Sequence, residues 1–244
     1  MRNIQLIISY CGTGYCGWQI QPNGVTIQEV IINAIRELTG ETVNLIGSGR
    51  TDAGVHALGQ SANFLTRSTI PAEAFHRALN TRLPSDIRII RSSERELDFH
   101  SRYHARGKSY IYKIYESPVG SPFYSDRAFY VSRTLDWQKM KEAASYFIGE
   151  HDFTAFMASG SSIKTTIRTI EEISFDKNGD LHEITFRGNG FLYNMVRIMV
   201  GTLYEVGYQR RKPEEIAGII KSQERSQAGI TAPAQGLYLK EVYY

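Results

Sequence analysis

Gly47-Ser48-Gly49-Arg50-Thr51-Asp52-Ala53-Gly54-Val55-His56-Ala57 sets a single carboxylate among small residues, between two apolar stretches. Val43, Leu45 and Ile46 precede it, and Leu58, Ala62 and Phe64 follow. Both flanks read as strands, so Asp52 belongs to the loop that joins them. Three glycines in eight residues let this backbone take positive φ and let a bulky partner come close. Taken alone, such a loop describes a hairpin with a solvated Asp as well as a displayed catalytic carboxylate.

Working outward, Ile4, Leu6, Ile8 and Tyr10 alternate as a first strand. Thr26 and Glu29 form a capping box, and Ile27, Val30, Ile31, Ala34, Ile35 and Leu38 continue at helical spacing to Gly40. Past the Asp52 loop, Pro71 opens a second helix that Pro84 ends, and Ile87, Ile89 and Ile90 make another strand. The order β-α-β-β-α-β is ferredoxin-like. The second half starts near Ala105, with a strand at 110–115 and a helix at 136–147. Strands at 167–176 and 181–187 follow, then a helix at 191–206, a short helix led by Pro213 and a last strand at 237–242. The expectation is an α+β fold of two ferredoxin-like halves, 1–104 and 105–244, whose antiparallel sheets join into one. Residues 157–166 read as a mobile loop.

Composition narrows the function. A chain of 244 residues exceeds the commonest domain size. No apolar run approaches the roughly 20 residues of a membrane span, and the N-terminus shows no secretory pattern. A cytoplasmic protein is expected. Two cysteines, Cys11 and Cys16, have no second pair with which to build a zinc site, and His100 and His104 lie in a segment that does not read as a helix. No metal is expected. Gly12-Thr13-Gly14-Tyr15-Cys16-Gly17 fits a dinucleotide fingerprint, but Pro22-Asn23-Gly24 separates it from the helix whose N-terminus a pyrophosphate needs. Arg187-Gly188-Asn189-Gly190-Phe191 half-matches an RNA-recognition motif, with Asn189 where a stacking aromatic is required. Neither signal holds.

The net charge of +3 points weakly to nucleic acid, but its distribution says more. Residues 99–115 carry Arg102, Arg106, Lys108 and Lys113 without a carboxylate, interleaved with Phe99, Tyr103, Tyr110, Tyr112 and Tyr115. Cations bind phosphates and exposed aromatics stack on bases, so Arg102, Arg106 and Lys108 are candidate RNA contacts. An ordinary solvated strand accounts for the segment equally well.

The Asp52 loop closely resembles the signature of the tRNA pseudouridine synthase A family, and the resemblance covers nearly the whole chain. Its other blocks are Tyr10-Cys11-Gly12-Thr13, Tyr15-Cys16-Gly17-Trp18-Gln19 and Thr26-Ile27-Gln28-Glu29. Phe99-His100-Ser101-Arg102, Lys108-Ser109-Tyr110-Ile111-Tyr112 and Gly149-Glu150-His151-Asp152-Phe153-Thr154 follow. Gly188-Asn189-Gly190-Phe191-Leu192, Asn194-Met195-Val196-Arg197 and Ala232-Pro233-Ala234-Gln235-Gly236-Leu237 complete the set.

The resemblance implies the pseudouridine synthase fold and isomerisation of uridine in the tRNA anticodon arm, around positions 38 to 40. It also implies a homodimer that clasps the tRNA. Breaking N1–C1′, turning the uracil and rejoining it through C5 needs no redox step and no energy input, so no cofactor is expected. Resemblance assigns the required carboxylate to Asp52, as nucleophile or as base. Tyr110 matches a tyrosine that stacks on the uracil, although by itself it reads as a strand residue on the sheet face. Arg197 matches the basic partner of the catalytic Asp, and a nearby cation keeps a carboxylate ionised. Helical phase alone places Arg197 opposite the apolar stripe, as an exposed Arg. Leu237 matches an apolar residue beside the base, and Arg50 is positioned in sequence to help extrude it. The alternative class is a non-catalytic tRNA-binding protein or RNA chaperone, which has no need of Asp52, Tyr110 and Arg197 together.

Overall fold

The computed structural model describes residues 1–160 and 165–244. Part of the loop expected at 157–166 therefore lies outside the described residues. In chain order the regular elements are β1 (Arg2–Tyr10), α1 (Ile27–Thr39), β2 (Ile46–Gly47), β3 (His56–Thr66), α2 (Phe75–Asn80), β4 (Ile87–Arg95), β5 (Gly107–Glu116) and β6 (Phe129–Val131). Then come α3 (Trp137–Ser145), β7 (Gly149–Asp152), β8 (Ile167–Asn178), β9 (Leu181–Gly188), α4 (Met195–Gly207), α5 (Glu215–Ser222) and β10 (Leu237–Tyr243). They form two compact units, Met1–Arg106 with Tyr238–Tyr244, and Gly107–Leu237. The final strand, read from sequence as part of the second half, clusters with the first unit in all but its first residue.

In the first unit β1 pairs antiparallel with β3 on one side and with β4 on the other. The far edge of β3 is shared. β2 pairs antiparallel at Asn63 and Ala62, while β10 pairs in parallel at His56 and Ala57. This is the 4-1-3-2 order of the ferredoxin-like arrangement expected from the sequence, with β10 completing the edge beside the start of β3. Thr26 caps α1 by accepting from Glu29 N–H, a contribution of about 1 kcal/mol. The apolar face of α1 (Ile27, Ile31, Ile35) is fully buried, as are Ile4, Leu6, Ile8, Phe64 and Phe75. The second helix begins later than its Pro71 start signal, because 72–74 form a 3₁₀ turn before α2.

C-terminal Tyr244 is held in the same unit by a buried polar network. Its hydroxyl donates to Ser101 O (2.8 Å) and lies 2.7 Å from Ser61 Oγ, whose own hydroxyl can donate to it. Ser101 N–H in turn donates to Asn63 Oδ1 (2.8 Å), and Asn63 Nδ2 to Asn3 Oδ1 (2.9 Å). Polar side chains on β1 and β3 thus find partners inside the unit, as buried polar groups must.

In the second unit β5, β9, β8 and β7 run antiparallel in that order, and the short β6 lies parallel on the other edge of β5. Asp136 caps α3 through Lys139 N–H. Gly207, at the end of α4, lies against Met140 so closely that a Cβ there would sit 2.5 Å from the sulfur. Met140, Ile198, Met199, Leu203 and Val206 fill that core with Phe147, Phe153 and Phe156. The fourth helix starts at Met195 rather than at residue 191, because Asn194 adopts the left-handed conformation (φ 60°), which no helix continues through. No helix among the described residues is long and apolar enough to cross a membrane.

Candidate active site

The Asp52 loop is built from its two ends inward. At its start Ser48 N–H donates to Ser61 O (2.7 Å), extending the β2–β3 pairing by one residue. Fully buried Gln60 then secures the next stretch: its Oε1 accepts from Ser48 Oγ (2.6 Å) and its Nε2 donates to Gly49 O (2.9 Å). At the other end residues 52–55 make a tight turn closed by Val55 N–H donating to Asp52 O (3.1 Å). Gly54 supplies the left-handed residue this turn needs (φ 77°). Asp52 is half-buried, and Arg50, two residues before it, is exposed. The loop is therefore fixed in its backbone while it displays a cation and a carboxylate.

The glycine run at 12–17, which carries a false dinucleotide signal, is the support of this loop. Trp18 N–H donates to Thr51 O (3.0 Å), and Tyr10 Oη lies 2.7 Å from Thr51 Oγ1. Gly17, at φ 85°, lies against the peptide that carries Asp52; a Cβ there would come within 2.5 Å of Thr51 O and 3.0 Å of the Asp52 carbonyl carbon. A Cβ at Gly12 would run into Val55 O. Gly12 N–H donates to His56 Nδ1 (3.1 Å), whose ring stacks on Tyr238 at 4.5 Å. Since Nδ1 accepts, a neutral His56 carries its proton on Nε2. The carbonyls of Gly17 and Trp18 then accept from Ile27 and Gln28 N–H at the start of α1. One segment thus links the helix N-terminus to the Asp52 turn, and Gly12 and Gly17 are there for close backbone approach.

The other candidates of the reaction stand in the second unit. Tyr110 lies on β5 opposite Phe186, with 9% of its surface exposed, and its ring meets Phe191 edge to face at 5.0 Å. Arg197, in the first turn of α4, is half-buried rather than exposed. Its Nε donates to Ala232 O (2.8 Å), its Nη1 to Asn194 Oδ1 (2.9 Å), and its own carbonyl accepts from Ala232 N–H (3.1 Å). The segment that ends in Leu237 is thereby fastened to α4 at both polar groups of one residue. Leu237 is buried, with 7% exposure.

The basic-aromatic stretch at 99–115 forms neither a single exposed surface nor a simple solvated strand. The boundary between the two units divides it after Arg106. Phe99, Tyr110 and Tyr112 are buried, and Tyr115 is half-buried and stacks on Tyr124 at 4.9 Å. Lys113 meets Glu183 across the β5–β9 pairing at 2.8 Å. Burial of apolar ring area outweighs display on a strand whose faces both go inward. Only Tyr103 among these aromatics is largely exposed (74%), stacked on His100 and beside the Arg102 guanidinium. Arg102 and Arg106 are exposed in the first unit, and Lys108 is half-buried on β5. His100 Nδ1 accepts from the backbone of Arg102, and His104 Nδ1 from that of His100.

The family model described as tRNA pseudouridine synthase matches residues 6–104 and 143–244. Over 244 residues, the full length of both chains, this chain is 55% identical to tRNA pseudouridine synthase A of Acetivibrio thermocellus. It is 54% identical to tRNA pseudouridine synthase A 2 of Clostridium tetani, over all of this chain and 99% of that one. Identity to tRNA pseudouridine synthase A of Thermoanaerobacter sp. strain X514 is 51%, with both chains covered in full. The chain belongs to the tRNA pseudouridine synthase family.

In this pseudouridine synthase the supports of the Asp52 loop carry no local sequence signature of that task. Gln60 sits in a strand as any polar residue might, and His56 carries no metal-like spacing. A signal for Gln60 existed in the strand register, which sets residues 60 and 61 beside Ser48. Gly17 and Trp18 fall in a block that carries the family resemblance, but nothing local ties them to the Asp52 loop, because their partner lies more than thirty residues away in sequence.

Proposed function

We propose that this enzyme, which isomerises uridine to pseudouridine in the tRNA anticodon stem-loop, acts around positions 38 to 40 with Asp52 as its catalytic carboxylate. The observation that carries the assignment is the Asp52 turn itself. It is a carboxylate on a backbone held by Trp18, Gln60 and Gly17, in a chain that matches the family along its whole length. Holding the carrier rigidly is what positions a nucleophile or base without an entropic cost at the moment of reaction.

The reaction removes the bond from N1 to C1′, forms one from C5 to C1′, places a proton on N1 and takes one from C5. Asp52 either attacks the base or ribose or moves a proton. Tyr110 provides an aromatic face for the uracil and a phenol that relays the C5 proton, passing its own proton to solvent as it takes that one. Arg197 supplies positive charge, Leu237 an apolar contact for the base, and Arg50 assists in drawing the uridine from its stack. Arg102, Arg106 and Lys108 contribute phosphate contacts, whose strength falls with salt. A homodimer in the cytoplasm completes the reading. Incubation of the purified protein with unmodified tRNA, followed by mapping of pseudouridine by position, tests it. Modification confined to 38–40 is expected, and modification elsewhere would contradict the assignment.

A further inference from the structure

Two successive carbonyls in the segment before Leu237 are gripped from two different elements. Arg197 on α4 donates to Ala232 O, and Tyr112 on β5 donates through its hydroxyl to Pro233 O (2.8 Å). Tyr112 is fully buried, and it stands two residues along the same strand from Tyr110, so both side chains leave the same face of β5. The next turn of chain lies on its ring: a Cβ at Gly236 would come 2.5 Å from Tyr112 Cζ and 2.8 Å from Tyr112 Oη. Gly236 immediately precedes Leu237. A single phenol thus touches the carbonyl at one end of the 3₁₀ turn Ala234–Gly236 and the glycine at the other.

We propose that Tyr112 is a positioning residue for the reaction: its hydroxyl sets the segment that carries Leu237 and that engages Arg197. This rests on the functional reading given for those two residues. Tyr112 is suited to the task because a tyrosine hydroxyl donates in one direction only, and its ring has no room to turn away from Gly236. Burial pushes its phenol far above the ordinary tyrosine value, with the Arg197 charge acting weakly the other way, so it remains a donor at every working pH.

Tyr112→Phe removes one hydroxyl and keeps the ring in place. With enzyme in excess over tRNA, the single-turnover constant for pseudouridine formation should fall by about tenfold, less than the roughly 10²-fold that a full 1 Å misplacement can cost. The Kd for tRNA should stay within about twofold of wild type. A merely structural role would lower the melting temperature and leave that first-order constant unchanged, because it does not depend on the folded fraction. Gly236→Ala, which pushes on the same ring from the other side, should slow the same step. A wild-type constant in Tyr112→Phe, or an equal loss in affinity and rate, would overturn the proposal. If wild-type protein itself forms no pseudouridine, the functional reading fails instead.

Discussion

Gly17 and Asp52 are in backbone contact: no side chain fits between the Gly17 α-carbon and the Thr51–Asp52 peptide. The carboxylate proposed for the chemistry is thus supported from behind by a residue 35 positions earlier, in a left-handed conformation that disfavours any L side chain.

Gly17→Ala should therefore damage both stability and catalysis. The unfavourable φ alone costs roughly 1–3 kcal/mol, and the displaced Thr51 carbonyl adds to it. Urea denaturation gives the first quantity. Single-turnover kinetics on the folded protein should show a slower chemical step, because the Asp52 turn must move to admit the methyl group. An Ala variant with wild-type stability and rate would show that the loop needs no support.

The two roles proposed for Tyr110 are separated by substitution. Tyr110→Ala removes the ring and should weaken capture of the uridine by about 1–3 kcal/mol, the usual worth of base–aromatic stacking. Tyr110→Phe keeps the ring and should retain most of that capture while losing most of the single-turnover rate, since the hydroxyl proposed to relay the C5 proton is then gone. Near-normal chemistry in the Phe variant would leave Tyr110 as a stacking platform alone.

His182 predicts a pH dependence in the second unit. Its ring lies flat on Trp137 at 3.9 Å, and Trp137 Nε1 donates to Glu116 (2.8 Å). Burial lowers the His182 pKa from 6.5; Lys177 adds to that, while Glu116 and Asp180 oppose it. The unfolded chain therefore takes up a proton before the folded one does. The stability His182 contributes is complete above pH 6.5 and is lost as pH falls through the lower folded value. Urea midpoints measured from about pH 7.5 down to about pH 5 should fall, and should fall less in His182→Gln. An identical pH profile in that variant would remove His182 as the cause.

The parts of the fold that depend on neighbours in sequence were legible there. Thr26 and Glu29 announce the start of α1, alternation marks β1, and the apolar flanks Val43–Ile46 and Leu58–Phe64 place Asp52 in the loop between them. What escaped depends on partners far along the chain. Arg197 reads as exposed by helical phase because the segment that covers it arrives 35 residues later, at Ala232. The segment that holds Tyr110 and Tyr112 reads equally as an RNA-contacting or a solvated strand, because nothing local shows that β5 is buried on both faces. The strands β6 and β7 are three and four residues long, too short for alternation to register.

Asp52→Asn is the most direct test of the central claim, that this one carboxylate drives the isomerisation. The two side chains are nearly equal in size, so folding and tRNA affinity should be retained. Loss of a general base costs about 10²–10⁴-fold in rate, and loss of a nucleophile more. Pseudouridine mapped by position after single turnover, with deamidation to Asp excluded by mass, should be present with wild-type protein and absent with Asp52→Asn. Pseudouridine formed at the wild-type rate by the Asn variant would contradict the account.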